Sequence, residues 1–92
     1  MNFEELKAKI KIAQEKRAKE AEKQSRIFNL QMRISGLKSK LQATDYKAIK
    51  YAEGELSAEE YAETREQRRA WRAEINALEE EIKAIKEGAN EN

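Results

Sequence analysis

The chain contains no cysteine, no proline and no histidine, and only three glycines. Without cysteine there is no disulfide and no thiolate metal site; this leaves the redox compartment open and fits a cytoplasmic chain. Without histidine the commonest general base and the commonest metal ligand are both missing. No apolar run is long enough to span a bilayer, and no secretory hydrophobic segment is visible. The lack of proline and the scarcity of glycine also argue against a disordered chain. What is present is charge: 40% of the 92 residues are Asp, Glu, Lys or Arg, and the mean hydropathy is -1.02. A single domain with a thin core follows. Glu, Lys, Arg, Gln and Ala are strong helix formers, and at heptad-like spacing they read as long helices or coiled coil.

The net charge of +1 hides an asymmetry. Residues 1–50 carry 13 Lys/Arg against 6 Asp/Glu, a net of +7, whereas residues 51–92 carry 6 against 12, a net of -6. Two complementary helices lying side by side account for this better than a basic field built for nucleic acid.

The clearest segment runs from Ser57 to Ile85. Ser57 and Glu60 have the spacing of a capping box. Tyr61, Arg65, Arg68, Trp71, Ile75, Leu78, Ile82 and Ile85 follow at steps of four and three, the seam of a coiled-coil helix. Gly88 supplies a stop. The first half predicts a second long helix. Asn2 with Glu5 forms an N-cap, and Phe3, Leu6, Ile10 and Ala13 begin a stripe. The stripe weakens at Arg17, Glu20 and Gln24, then recovers as Ile27, Leu30, Ile34, Leu37 and Leu41, with Phe28 and Met32 widening it toward a further helix. Because the stripe holds its phase across Ser35-Gly36, the helix is expected to continue there, with Gly36 allowing a close approach or a mild bend.

Ala43-Thr44-Asp45 interrupts the pattern. Thr44 has the chemistry of an N-cap and Asp45 suits a first turn. These residues predict a separate short helix over about 45–53, with Tyr46, Ile49 and Ala48 or Ala52 facing inward and Gly54 as its stop. Leu56 is placed to staple onto Tyr61. The expected fold is therefore all-α: a long antiparallel, coiled-coil-like helical hairpin with a short helix at the turn. It forms one domain over 1–92, with helices at about 3–42, 45–53 and 58–86 and a frayed tail at 88–92. At 1.5 Å per residue the two long helices would measure roughly 58 and 45 Å. Only the first ten or so residues, with Phe3, Leu6 and Ile10, would then lack an intramolecular partner.

Sites of chemistry are scarce. Arg65, Arg68, Arg69 and Arg72 surround Trp71 and are the candidate nucleic-acid contacts. Glu59, Glu60, Glu63 and Glu66 stand close by and oppose phosphate, so pairing of these arginines with glutamates is the expectation. The lysines between Lys7 and Lys23 alternate with Glu15, Glu20 and Glu22, as on a solvated face. Met1–Ala13 has too small an apolar face for a membrane helix. Glu79-Glu80-Glu81 lacks the loop of a cation site. No phosphate loop, nucleophile elbow or catalytic pair appears, so neither enzyme activity nor any cofactor, metal or small-molecule substrate is expected.

Two stretches carry a resemblance. Leu41-Gln42-Ala43-Thr44-Asp45-Tyr46 through Gly54, and Arg68-Arg69-Ala70-Trp71-Arg72 through Ile75-Asn76-Ala77-Leu78-Glu79, are joined by a short Glu/Tyr spacer. Together they are similar to a recurrent segment of small phage and prophage helical proteins, often encoded near tail genes. The resemblance covers residues 41–79 and brings no catalytic residues. It implies a non-enzymatic phage structural or assembly protein acting through helix–helix contacts, in the bacterial cytoplasm or on the virion. The alternative is a small anti-CRISPR-like inhibitor of a host defence protein such as a CRISPR nuclease; the third is a nucleic-acid-binding helical module. On the first reading, Phe3, Leu6, Ile10 and Ala13 contact a protein partner, most simply a second copy in a homodimer.

Overall fold

The computed structural model describes residues 2–88, and the expected tail beyond Gly88 lies outside them. The protein is an all-α antiparallel hairpin of two helices, α1 (Phe3–Ala52) and α2 (Ala58–Lys86). It is a rod 78 Å long and 20 by 15 Å across. That length is set by α1 alone, since 50 helical residues rise about 75 Å.

The helix ends follow from local chemistry. Asn2 caps α1 by accepting the Glu5 backbone N–H at 2.8 Å. At its other end α1 closes in a Schellman motif: Glu55 N–H reaches the Lys50 carbonyl at 2.8 Å and Gly54 N–H the Tyr51 carbonyl at 3.1 Å. This motif needs a left-handed residue, and Gly54 supplies it with φ +80°. Ser57 then opens α2 with a complete capping box. Its hydroxyl accepts the Glu60 N–H at 3.1 Å, and the Glu60 carboxylate accepts the Ser57 N–H at 2.9 Å. The bond from the Ser57 backbone holds the Glu60 carboxyl below its ordinary range. Gly88, at φ 72°, follows the end of α2.

The core is one seam. Ile27, Leu30, Ile34 and Leu37 of α1 interlock with Ile75, Leu78, Ile82 and Ile85 of α2, flanked by half-buried Leu41 and Trp71. Toward the turn the α1 seam continues through Thr44, Ala48 and Tyr51, and the α2 seam through Arg68, Thr64 and Tyr61. Both alternate in steps of three and four, as in a coiled coil. Thr64 rather than Arg65 holds the seam position.

The separate short helix at 45–53 does not form. α1 runs unbroken through Ala43-Thr44-Asp45. Thr44 caps nothing: its hydroxyl lies 3.0 Å from the Lys40 carbonyl and 3.1 Å from that of Leu41, bonding back along its own helix. Tyr46 and Ile49, expected to face inward, are exposed, and so are Phe28 and Met32. Gly36 lies inside α1 as expected, but a Cβ there would meet nothing within 4 Å, so it serves no close approach.

The unbroken α1 changes the register. Moving the turn from the expected position near residue 43 to residues 53–57 slides α2 along α1 by about three turns. The covered part of α1 accordingly begins near Ile27 rather than Ala13, and every described residue through Glu22 is exposed. The overhang is twice as long as the sequence suggests.

Candidate functional surfaces

Three surfaces carry the chemically distinctive side chains: a polar node near the turn, an aromatic cap beside it, and the α1 overhang at the opposite end.

The node centres on Arg68. Its guanidinium donates to the Leu41 carbonyl at 2.7 Å, to the Thr44 hydroxyl at 2.7 Å and to the Asp45 carboxylate at 2.9 Å. Arg68 is 6% exposed, whereas the Asp45 side chain keeps 54% of its exposure. The Nε of Arg68 is buried without a partner. A planar fork of donors suits this task, since one side chain spans a carbonyl, a hydroxyl and a carboxylate on a facing helix. The node thus gathers Thr44, Asp45 and Arg68 across 24 residues of sequence and locks the register of the hairpin.

The aromatic cap covers the turn end of the seam. Tyr51 and Tyr61 stack with ring centroids 4.7 Å apart and planes at 12°. The Arg65 guanidinium lies over both rings, 4.9 Å from Tyr51 and 5.5 Å from Tyr61. Lys40 sits 5.9 Å from the centroid of Trp71 in the same manner.

These placements revise the arginine quartet. Arg68 is consumed inside the hairpin and cannot reach a phosphate. Arg65 is half-buried against tyrosine faces, and Arg69 pairs with Glu66 on its own helix at 3.1 Å. Arg72 remains on the surface. The four do not form one patch, and the expected pairing with glutamate is made by Arg69, whereas Arg68 pairs with Asp45 of α1. The role of Arg68 was readable in the sequence only through its place on the three-four seam of α2 between Tyr61 and Trp71.

The overhang presents the predicted interaction residues. Phe3 is 71% exposed, Leu6 46% and Ile10 48%; Ala13 is exposed on the next turn. No residue of α2 lies opposite them. Local contacts support this stretch: Lys7 over the Phe3 ring at 4.8 Å and a Gln24–Glu20 hydrogen bond at 3.0 Å.

Between the helices, Gln31, Ile34, Ser35, Lys38, Glu79 and Ile82 line a shallow, open groove. Among the described residues no cluster of three His, Cys, Asp or Glu could hold a metal ion, and no helix is long and apolar enough to cross a membrane. No family model, no curated protein and no solved structure matches this chain.

Proposed function

We propose that this chain is a non-enzymatic structural or assembly protein of the phage type, working through helix–helix contacts made by the α1 overhang. The observation that carries the reading is a helix that outruns its partner by some twenty residues while keeping Phe3, Leu6 and Ile10 on one exposed face. Most helix stability in proteins comes from tertiary packing, which this stretch lacks. A partner that buries these side chains gains roughly 1.5–3 kcal/mol from each. The simplest occupant is another copy of the chain, because the basic first half and the acidic second half attract one another. A tail-associated role in the virion or an assembly role in the host cytoplasm follows from the resemblance of residues 41–79 to phage proteins.

The test is sedimentation of the wild type and of a Phe3→Ser/Leu6→Ser/Ile10→Ser variant. The wild type should run larger than a monomer, and the variant should lose mass while keeping its helicity. A wild type that is monomeric at high micromolar concentration contradicts self-association. The overhang would then belong to a different protein, as in an inhibitor of a host defence protein.

A further inference from the structure

α1 has a second seam that the hairpin does not use. Phe28, Met32, Tyr46 and Ile49 are the large apolar side chains left exposed within the paired part of α1, at 56–59% each. They fall on one line of alternating three- and four-residue steps. That line contains no charge from Ala18 to Ile49, in a chain whose residues are 40% charged. At 3.6 residues per turn it lies about 150° around α1 from the seam that meets α2. The hairpin seam behaves differently beyond the end of α2: its continuation toward the N-terminus reads Lys23, Glu20, Lys16. The line that α2 covers thus turns charged where α2 ends, while the second line stays uncharged over about 47 Å.

We infer that this second seam pairs α1 with α1 of a second copy, antiparallel, about a two-fold axis between Met32 and Ser35. The inference rests on the reading of the chain as one that acts through helix–helix contacts, but it uses a different face from the overhang. Antiparallel pairing of heptad seams opposes each position to one of the other type, which leaves a few discrete registers one heptad apart. The register centred between residues 32 and 35 opposes each large side chain to a small one. Met32 faces Ser35 of the other copy, Phe28 faces Ser39, and Tyr46 faces Ala21. Ile49 faces Ala18, so the whole uncharged line is used. The flanking positions agree: Glu15 comes beside Lys50 of the other copy, and no like charges meet. Sliding by one heptad in one direction brings Phe28 against Tyr46 and Lys38 against Lys38; in the other it brings Phe28 against Met32 and Lys11 against Ile49. The pair forms an open row of four helices, α2–α1–α1–α2. Phe3 and Leu6 project beyond the turn of the other copy, so the overhang is left for its own contact.

The absence of native cysteine makes disulfide trapping a direct test. An Ala21→Cys/Tyr46→Cys chain should form a covalent dimer on mild oxidation. Neither single-cysteine chain should do so, because like positions lie far apart in an antiparallel pair. Phe28→Cys/Tyr46→Cys, which the neighbouring register would join, should give no covalent dimer. All substituted positions are exposed, so the hairpin should remain folded. The Ala21/Tyr46 crosslink should persist in the Phe3→Ser/Leu6→Ser/Ile10→Ser background, which separates this contact from the overhang. Crosslinking by Ala21→Cys alone would indicate a parallel pair and overturn the inference. So would an Ala21/Tyr46 chain that gives no covalent dimer; if the wild type still sediments above monomer mass, the overhang reading survives that result.

Discussion

Arg68 is the residue on which the turn end of the hairpin depends. It occupies a seam position where an apolar side chain would ordinarily sit, and the cost of burying its charge is offset by three donated hydrogen bonds. Its partners are unequal. Leu41 and Thr44 offer part-buried oxygens, while the Asp45 carboxylate is mostly in water. Replacing Arg68 by Lys removes the fork, so that one ammonium cannot bond all three oxygens, and the lost charge-assisted bonds should lower stability by about 1.5–3 kcal/mol. Asp45→Asn should change stability by less than about 1 kcal/mol, because the Asp45 side chain is mostly in water and an amide oxygen in its place can still accept from Arg68. Urea denaturation of the two variants checks the ordering. An equal loss from both would mean that the ion pair, and not the forked contact with the helix backbone, holds the node.

At the scale of the element, the two glycines of the hairpin should respond with opposite signs. Gly36 sits in an exposed helix interior with open space around it, so Gly36→Ala should stabilise by about 0.5–1 kcal/mol. Gly54 also has open space around it, but at φ +80°. Gly54→Ala should destabilise by about 1–2 kcal/mol through the backbone alone. Thermal melts of both variants read the two signs directly. The elements also show what the sequence conveys well. Ser57 with Glu60, Asn2, Gly54 and Gly88 mark helix ends by chemistry that acts within four residues, and each does what its type suggests. The seam from Ile27 to Leu37 and from Trp71 to Ile85 is legible for the same reason, since its period is local. Thr44 is the failure. Thr and Asp are cap formers when their side chains face free backbone N–H groups, but here Thr44 bonds to carbonyls of its own helix and to Arg68 of the next. The deciding partner is remote in sequence, so a local rule could not see it. A signal was nonetheless present: Leu41, Thr44, Ala48 and Tyr51 continue the three-four alternation of Ile27 to Leu37 without a change of phase.

At the scale of the whole molecule, that one misread residue doubles the unpaired part of α1. The bare face was legible in the sequence, since Phe3, Leu6, Ile10 and Ala13 are exposed on one side of α1 as expected. Its extent was not, because extent depends on where the turn falls. Which arginine is buried depends likewise on the face the partner helix covers, and among Arg65, Arg68, Arg69 and Arg72 it is Arg68 that lies on that face. The result is a rod with a stapled half and a bare half.

Amide hydrogen exchange across a concentration series tests the division most directly. Amides of residues 27–52 and 61–85 should be protected at every concentration, with Thr44 and Asp45 protected as in a helix interior. Amides between Leu6 and Glu22 should exchange rapidly in dilute solution and gain protection as concentration rises. An overhang that exchanges rapidly at every concentration, or rapid exchange at Thr44 and Asp45, would contradict the account.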